Sequence, residues 1–416
     1  MMRILISGAG IAGPTLAYWL AHYGFKPTIV EAAPRLREGG YLIDFWGAGF
    51  DIAGLMGLVP EILQRGYKVR EVKVVNQRGK RVAGFPVDAF SRMTQGRFVS
   101  LPRTELAAAI FRKIESRVET IFGDSVDRMD QTERGVQVTF KRGSAREFDL
   151  VIGADGLHSR VRELVFGPES RFEKYLGYKV AAFMVEGYRP RDELVYVMYT
   201  QVGQQVGRFT MRDNRTIFLF TFKDDDSAGT DTLESQKALL RKRFGNSGWE
   251  CPQILDALET TRDFYFDRVS QIRMDPQNGL WTRGRVSLIG DAASCVSFLA
   301  GQGTALAMVA AYILAGELHR ASGDYATAFQ RYQDLFGPFV LGKQKAALRF
   351  AGAFAPKSKF ALFLRNQVFN LLAIPWIADR AVGRDLADKI TLPDYEPGMR
   401  GGYASDEDSR HSSLSA

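Results

Sequence analysis

A glycine-rich turn near the N-terminus constrains the fold of this chain more than any other feature. Residues 3–7 form an apolar segment typical of a buried strand, and Gly8, Gly10 and Gly13 follow it directly, with a helix-like stretch over residues 14–22. In such a strand–turn–helix unit, the first glycine permits a tight turn, the second lets the backbone approach a pyrophosphate, and the third allows the helix to pack closely on the strand. The spacing therefore predicts a dinucleotide-binding unit.

The residues around the turn favour the same interpretation. Ile11 and Ala12 lie where the helix would begin, and the N-terminus of a helix attracts phosphate groups because it presents backbone N–H groups and a positive dipole end. A second apolar segment ends at Glu31, roughly 20 residues beyond the glycines, where a carboxylate can accept hydrogen bonds from an adenosine ribose. This pattern alone does not distinguish NAD from FAD.

Length and composition indicate a folded chain of two or three domains. The chain has 416 residues, of which 46% are hydrophobic and 25% charged, as in ordinary globular proteins. The two cysteines, Cys251 and Cys295, exclude a disulfide scaffold, and the four histidines are scattered, so we predict no metal site. No signal-like segment precedes the glycine turn and no long apolar run occurs, so we expect a cytoplasmic protein.

Positive charge is concentrated near the C-terminus. Between Leu341 and Arg384 there are eight basic residues and one acid, Asp379, which accounts for +7 of the formal net charge of +8. A nucleic-acid-binding protein would spread its charge over a recognisable module, and we find none. The basic region therefore indicates a solvated helical face, with contact to a membrane surface or to an anionic ligand as the alternatives.

Two further motifs bear on the cofactor. Residues 148–154 are typical of a buried strand, which ends in a polar loop containing Asp155. Residues 284–290 form another such strand, which ends at Asp291. The stretch Gly301-Gln302-Gly303 then precedes a strongly apolar helix. No second glycine fingerprint and no Cys-x-x-Cys pair occur, so a reductase with two dinucleotide domains and disulfide chemistry are both disfavoured.

Together with the glycine turn, these motifs occur in the order and the approximate spacing of a known family. The chain resembles the single-component FAD-dependent monooxygenases of the para-hydroxybenzoate hydroxylase type over about residues 3–335. The resemblance implies an α/β fold, in which an FAD-binding Rossmann-like domain of the glutathione-reductase type carries an inserted antiparallel-sheet substrate domain and C-terminal helices. It implies FAD as the cofactor and NAD(P)H as co-substrate.

The family's cofactor-binding residues can be assigned by motif. Asp291 matches the acid that binds the ribityl chain, and Arg103, in a Pro-Arg-x-x-Leu stretch, matches a cofactor-binding arginine. Asp155 matches an acid associated with FAD and NADPH. The remaining assignments are Gly301, Gln302 and Gly303 at the pyrimidine edge of the flavin, and Gly40 in the glycine-rich loop 39–44. As alternatives, Asp155 would cap a loop or helix and Arg103 would form a surface ion pair.

One loop departs from the family pattern. The family usually carries histidine and prolines between the Asp291 motif and the glycine loop, whereas residues 294–300 contain neither. Phe298 stands about where a proline would flank the flavin, which makes it a candidate substrate-binding residue. The loop 39–44 and the C-terminal helices also look similar to the tetracycline-inactivating branch of the family.

The resemblance implies a division into domains. We expect the FAD-binding domain to comprise residues 1–72, 95–177 and 273–335, and the substrate-binding domain to comprise residues 73–94 and 178–272. Alternating apolar and polar positions in the second domain predict an antiparallel sheet. Candidate pocket residues on it are Arg208, Phe209, Met211, Phe220 and Tyr265, although packing in the core explains each of them equally well.

The C-terminal part is predicted to be helical over residues 336–395, followed by a disordered tail over residues 396–416. Six apolar residues recur at helical spacing, namely Phe360, Phe363, Leu364, Val368, Leu371 and Leu372. We expect this stripe to be buried against the substrate domain, so that residues 341–384 close the site. A membrane contact through the same residues is the alternative.

The function implied by the resemblance is a monooxygenase reaction. NAD(P)H would reduce FAD, and O2 would give a flavin C4a-hydroperoxide that hydroxylates an aromatic or polyketide-like small molecule. Two alternatives remain open: an FAD-dependent oxidase or reductase of the same fold, and a non-catalytic flavoprotein that binds a partner through its basic C-terminal region. The identity of the substrate and the oligomeric state stay open.

Overall fold

The structure is a computed structural model and describes residues 1–36, 41–87, 94, 96–225, 232–261, 264–274, 280–354, 356–374 and 390–396. Gly40, most of the predicted tail and residues 375–389, which include the end of the basic region, therefore lie outside the described residues. Among the helices that are described, none is long and apolar enough to cross a bilayer.

The strands within the described residues fall into four sheets. In chain order they are β1 (Arg3–Ser7), β2 (Lys26–Glu31), β3 (Leu42–Trp46), β4 (Glu71–Val75), β5 (Arg81–Pro86), β6 (Phe98–Pro102), β7 (Glu119–Phe122), β8 (Val126–Gln131), β9 (Val136–Phe140), β10 (Arg146–Phe148), β11 (Leu150–Gly153), β12 (Glu173–Glu186), β13 (Val195–Gln201), β14 (Gln204–Thr210), β15 (Arg215–Lys223), β16 (Phe264–Ile272), β17 (Thr282–Arg283) and β18 (Val286–Leu288).

The described α-helices connect and cover these sheets. They are α1 (Ala12–His22), α2 (Ala48–Leu55), α3 (Val59–Arg65), α4 (Arg103–Arg112), α5 (Arg160–Phe166), α6 (Leu233–Phe244), α7 (Cys251–Glu259), α8 (Asp291–Ser294), α9 (Gly303–Arg320), α10 (Tyr325–Phe354) and α11 (Lys359–Leu371).

The first sheet is the predicted dinucleotide-binding sheet. Its strand order is β17-β18-β11-β1-β2-β7, and all neighbouring strands are parallel except the β17–β18 pair. The interiors of its central strands are mainly apolar and buried because helices cover the sheet. Trp19 of α1 contacts Tyr312 of α9 with ring centroids 5.0 Å apart, so these two helices pack against each other over the sheet. The α/β fold with a Rossmann-like sheet is confirmed.

The second large sheet is mainly antiparallel, with strand order β16-β12-β15-β14-β13-β4-β5. Only the β13–β4 pair is parallel. One face is covered by α6 and α7, whose apolar residues pack on Phe218, Phe220 and Phe222. The opposite face looks toward the first sheet. Strand β12 runs from Glu173 across the predicted domain boundary at residue 178, so the exact boundaries stay a prediction.

The C-terminal helices differ from the expectation in one respect. Helix α11 packs on β5 and β13, but most of its apolar stripe is exposed: Phe360 by 73%, Phe363 by 58%, Leu364 by 54%, Val368 by 45% and Leu371 by 48%. The expected burial of this stripe is therefore wrong. The physical reason is that α11 turns Arg365 and Phe369 inward instead, and the exposed stripe lies on the outer face.

Candidate flavin and substrate site

A cavity of about 530 Å³ lies between the two large sheets. One end is lined by the glycine turn, Arg103 and the N-terminus of α9, and the other by the second sheet and α11. Of the predicted cofactor residues, the lining includes Gly10, Ile11, Ala12, Arg103, Asp291, Gly301 and Gly303. The structure thus brings together motifs that are far apart in the sequence.

The three glycines of the turn have different neighbours. A Cβ added at Gly8, whose φ is 109°, would lie 2.5 Å from the carbonyl oxygen of Ala154, and a Cβ at Gly13 would lie 2.0 Å from that of Gly8. These two positions require glycine for packing. A Cβ at Gly10 would instead enter the cavity, 3.4 Å from Nη2 of Arg103. Gly10 therefore leaves space for a ligand.

The N-terminus of α1 opens onto the same space. Ile11 stands at the N-cap position, and its side chain cannot accept a hydrogen bond from the first-turn N–H groups. Those groups are therefore available to an anion, and the predicted binding of phosphate there stays a prediction. Glu31 lies behind the turn, where its carboxylate accepts hydrogen bonds from the backbone N–H groups of Ala9, at 2.7 Å, and Ala33, at 2.9 Å.

Asp291 and Arg103 both line the cavity. Asp291 begins α8 immediately after Gly290, whose φ of 60° makes the sharp turn from β18. Removal of the Asp291 carboxyl from bulk water raises its pKa, and the nearby Arg103 guanidinium partly opposes that shift. The Cys295 thiol is hydrogen-bonded to Asp291, and burial raises the pKa of that thiol well above its usual range. Cys295 is therefore a neutral, buried group.

The loop before α9 contains a glycine in the left-handed region, Gly301, with φ 65°. Gly303 begins α9 and lies close to Asp291: a Cβ added at Gly303 would be 3.7 Å from Asp291 Oδ1. The helix N-terminus thus points toward the cavity, as the sequence predicted. Gln302 lines a smaller neighbouring pocket with Asp44 and Trp46 instead of the main cavity.

Asp155 has a local structural role in this structure. Its carboxylate accepts hydrogen bonds from Ser159 Oγ at 2.5 Å and from the Val161 N–H at 3.0 Å, at the start of α5. It does not line the cavity, so the alternative of a capping residue describes it better than direct cofactor contact. The buried Arg162 then donates to the carbonyl oxygens of Leu157 and Ala292, which ties this loop to α8.

An aromatic cluster occupies the middle of the cavity wall. The ring of Tyr41 lies 4.7 Å from that of Phe298 and 5.3 Å from that of Tyr265, centroid to centroid. All three line the cavity, and the roles of Phe298 and Tyr265 in binding substrate stay a prediction. Ser297, just before Phe298, has φ 142°, a backbone conformation that favours glycine. Tyr41 could not have been selected from sequence pattern alone.

The other candidate pocket residues do not reach the cavity. Arg208 and Phe220 lie on the opposite face of the sheet, under α6 and α7, because side chains alternate between faces along a strand. There Arg208 donates to Glu250 at 2.6 Å and Asp192 at 2.6 Å. Phe209 and Met211 are fully buried in a separate cluster with Tyr67. The structure therefore assigns these four residues to packing and ion pairing.

Sequence reasoning overlooked polar residues on the cavity face. Asp44 accepts a hydrogen bond from Ser100 Oγ at 2.5 Å, and removal from bulk water raises the pKa of its carboxyl. Gln205 lies on the cavity face of β14. For Asp44 the available signal was an acid inside the otherwise apolar strand β3. Strand β14 carries several polar residues, so Gln205 could not be selected before the sheet showed which face meets the cavity.

Comparisons with known proteins agree with this arrangement. The family described as FAD binding domain matches residues 1–327. The chain is 32% identical over 399 residues to a flavin-dependent monooxygenase of Legionella longbeachae, covering 95% of this chain and 98% of that protein. It is 40% identical over 349 residues to an uncharacterised protein of Mycobacterium tuberculosis, covering 82% of this chain and 91% of that one.

A solved structure extends the similarity to the whole fold. The crystal structure of tetracycline destructase Tet(51) superposes with a TM-score of 0.80 at 32% identity, covering 95% of this chain and 100% of that chain. Fold and site together define a flavoprotein with a Rossmann-like FAD-binding sheet. The chain belongs to the FAD-dependent monooxygenases of the para-hydroxybenzoate hydroxylase type, as its motifs predicted.

The residues present fit FAD. The space beside Gly10 and the first turn of α1 suit a pyrophosphate, and Arg103 adds a positive charge there. Asp291 and the N-terminus of α9 line the same cavity. Residues that suit the phosphates, the ribityl chain and the flavin edge therefore share one continuous space.

Proposed function

We propose that the protein is an NAD(P)H- and O2-dependent FAD monooxygenase that hydroxylates an aromatic or polyketide-like small molecule. The observation that carries this proposal is the continuity of one cavity, which joins the predicted cofactor residues to an apolar pocket on the second sheet. Such continuity lets the reactive part of a cofactor and a bound organic molecule share one water-poor space. FAD, when bound, supplies the acceptance of hydride and the activation of O2.

The residues of the chain would bind FAD, stabilise charge on it and position the substrate. Backbone N–H groups of α1 and Arg103 would bind the pyrophosphate, and Asp291 would accept hydrogen bonds from the ribityl chain. The N-terminus of α9 would stabilise negative charge at the edge of the flavin through its dipole and its N–H groups. Tyr41, Tyr265 and Phe298 would hold the substrate's rings and exclude water.

The C-terminal helix supplies the last wall of this space. Phe369 of α11 lines the cavity and contacts Phe85 of β5, with ring centroids 5.3 Å apart. We propose that α11 shields the substrate and moves aside for product release. The exposed stripe on the outer face of α11 would then play no direct part in closure.

The experiment is a turnover assay on the purified flavoprotein. Because Tet(51) is described as a tetracycline destructase, tetracycline is the first compound to test, followed by simpler phenols and quinones. A monooxygenase should oxidise NADH or NADPH faster in the presence of a substrate and give a product one oxygen atom heavier. Hydrogen peroxide with a desaturated product would favour the oxidase alternative. FAD binding without any stimulated turnover would favour the non-catalytic alternative.

A further inference from the structure

A buried amide in the substrate part of the cavity has a fixed orientation. Gln205 of β14 lines the cavity and is 3% exposed. Its Oε1 accepts two hydrogen bonds, from Thr200 Oγ at 3.0 Å and from Arg365 Nη1 at 3.3 Å. Thr200 lies directly opposite Gln205 on the neighbouring strand, whereas Arg365 comes from α11. Three separate elements therefore meet at this one amide.

The Thr200 and Arg365 donors determine which end of the Gln205 amide faces the cavity. An arginine side chain has only donors, so the amide must present its oxygen, and not its NH2 group, to Arg365. A flipped amide would place two donors against each other. The Gln205 oxygen is thus occupied by protein donors, and the two N–H groups are the part of the amide that remains for a ligand. The cavity wall consequently offers a hydrogen-bond donor at this point.

The surroundings make such a donor selective. Neighbouring cavity-lining side chains are apolar, among them Met198, Leu219, Phe85 and Phe369. A positioned donor in an apolar pocket discriminates strongly between ligands, because a ligand without an acceptor leaves the buried N–H groups unsatisfied. Of two ligands with similar ring systems, the one that places an acceptor oxygen next to the Gln205 N–H groups should therefore bind more tightly.

Arg365 is itself held firmly in place. It is 8% exposed, and its guanidinium stacks on the Phe369 ring at 5.3 Å from the centroid. Burial lowers its pKa to about 10, so the side chain keeps its charge at neutral pH. The Gly203 N–H also donates to the Pro356 carbonyl oxygen at 2.9 Å, which fastens the start of the α11 region to the β13–β14 hairpin.

We propose that Gln205 is a substrate-binding residue that donates a hydrogen bond to a carbonyl, quinone or enolate oxygen of a fused-ring substrate, and that Thr200 and Arg365 are its positioning residues. This proposal rests on the proposed function, since it names the substrate class of the same site. It also gives α11 a chemical role in recognition, because the helix fixes the direction of the donor that the substrate meets.

The test uses two probes that differ only at the recognised group. Anthraquinone-2-sulfonate carries two acceptor oxygens that anthracene-2-sulfonate lacks. Their dissociation constants are measured on the FAD-loaded protein by titration of the flavin absorbance. We expect the wild type to bind the quinone at least about tenfold more tightly, which corresponds to about 1.4 kcal/mol. Gln205→Met and Gln205→Glu should remove most of that preference while binding the hydrocarbon probe within about threefold of wild type.

The variants separate recognition from folding. Glutamate at position 205 can still accept from Thr200 and Arg365, so Gln205→Glu should keep or raise the melting temperature even as it loses the quinone preference. If Gln205 were purely structural, a variant that kept its melting temperature would also keep its quinone preference. Arg365→Met should reduce the preference, Arg365→Lys should restore part of it, and Gln367→Met on the exposed side of α11 is the matched control.

The outcomes are distinguishable from failure of the proposed function. A quinone preference that survives in Gln205→Met would overturn the proposal. Binding of neither probe to a protein that holds FAD and oxidises NAD(P)H would overturn the substrate class but leave the proposed function standing. A protein that does not retain FAD would instead contradict the proposed function itself.

Discussion

The same substitution at two glycines of the turn should have opposite consequences. A Cβ at Gly13 would lie 2.0 Å from the Gly8 carbonyl oxygen, a backbone atom that cannot move without opening the turn. A Cβ at Gly10 would lie 3.4 Å from the Arg103 Nη2, the mobile end of a long side chain. Gly13→Ala should therefore lower the stability of the fold. Gly10→Ala should instead alter the surface expected to contact the cofactor phosphates, and so weaken FAD binding.

The magnitudes follow from these contacts. Forcing a methyl group into a packed site costs about 1–3 kcal/mol, and a clash with backbone at this distance belongs at the upper end. At roughly 2–4 °C per kcal/mol, the value for a cooperative unit of about 150–250 residues such as the FAD-binding domain, Gly13→Ala should lower the melting temperature by about 6–12 °C. Gly10→Ala should leave the melting temperature of the FAD-free protein within about 2 °C but raise the Kd for FAD about tenfold or more.

Two measurements check this pair. Differential scanning fluorimetry of the FAD-free proteins gives the melting temperatures, and the quenching of FAD fluorescence on binding gives the Kd. Gly342→Ala on α10 is the control, because an added Cβ there meets no atom of the described chain within 4 Å. A Gly10→Ala protein that is strongly destabilised without FAD, or a Gly13→Ala protein as stable as wild type, would refute the reasoning.

Four further predictions follow from the site and its surroundings. Asp291→Ala should weaken FAD binding by about 10–100-fold, since hydrogen bonds to a charged group contribute about 1.5–3 kcal/mol, as measured by FAD retained after ultrafiltration. Arg208→Met should lower the free energy of unfolding by about 3–5 kcal/mol, because among the described residues the Glu250 carboxylate keeps only the Tyr188 hydroxyl and loses its cationic partner. The KM at a permissive temperature should stay unchanged, and a raised KM would show that Arg208 acts in the substrate site. Phe369→Ala should release more peroxide per NAD(P)H oxidised, with Phe360→Ala on the exposed face as the control. The protonated His158 ring donates hydrogen bonds to the carboxylates of Asp267 and Glu169, which raises the pKa of His158 to about 10. Its stabilisation is therefore complete below the unfolded pKa of about 6.5 and is lost as pH rises through 10, so the difference in free energy of unfolding between wild type and His158→Gln, measured in urea, should shrink over that range; a constant difference would contradict it.

The parts of the site that lie on local motifs were predictable from the sequence. The glycine turn, Arg103, Asp291 and the Gly301–Gly303 loop each depend on a short stretch whose backbone geometry the residue types nearly determine. Asp155 shows that a recognised motif does not by itself establish the role of each residue in it. Its motif was found correctly, but an acid followed by a serine and a helix start can cap that helix through its own carboxylate, and here it does.

Which residues line the substrate part of the cavity could not be predicted from the sequence of a single strand. Alternation separates the residues of β14 into two sets, Gln205, Gly207 and Phe209 on one face and Gln204, Val206 and Arg208 on the other. Nothing within the strand says which set meets the cofactor, since α6 and α7, which cover the second set, follow later in the chain. Arg208 was therefore a reasonable candidate on charge, and Gln205 was the residue on the correct face.

Helix α11 illustrates the same limit at the level of packing. Its apolar stripe predicted a buried face, because an amphipathic helix normally turns its apolar side inward. Here the inward side carries Arg365 and Phe369, whose partners Gln205 and Phe85 belong to strands far away in the sequence. A polar contact inside the cavity has thus taken precedence over burial of the larger apolar surface. Such packing is expected where a helix serves a ligand site, as we propose for α11, because a lower free energy of unfolding is tolerated there in exchange for groups that meet the ligand.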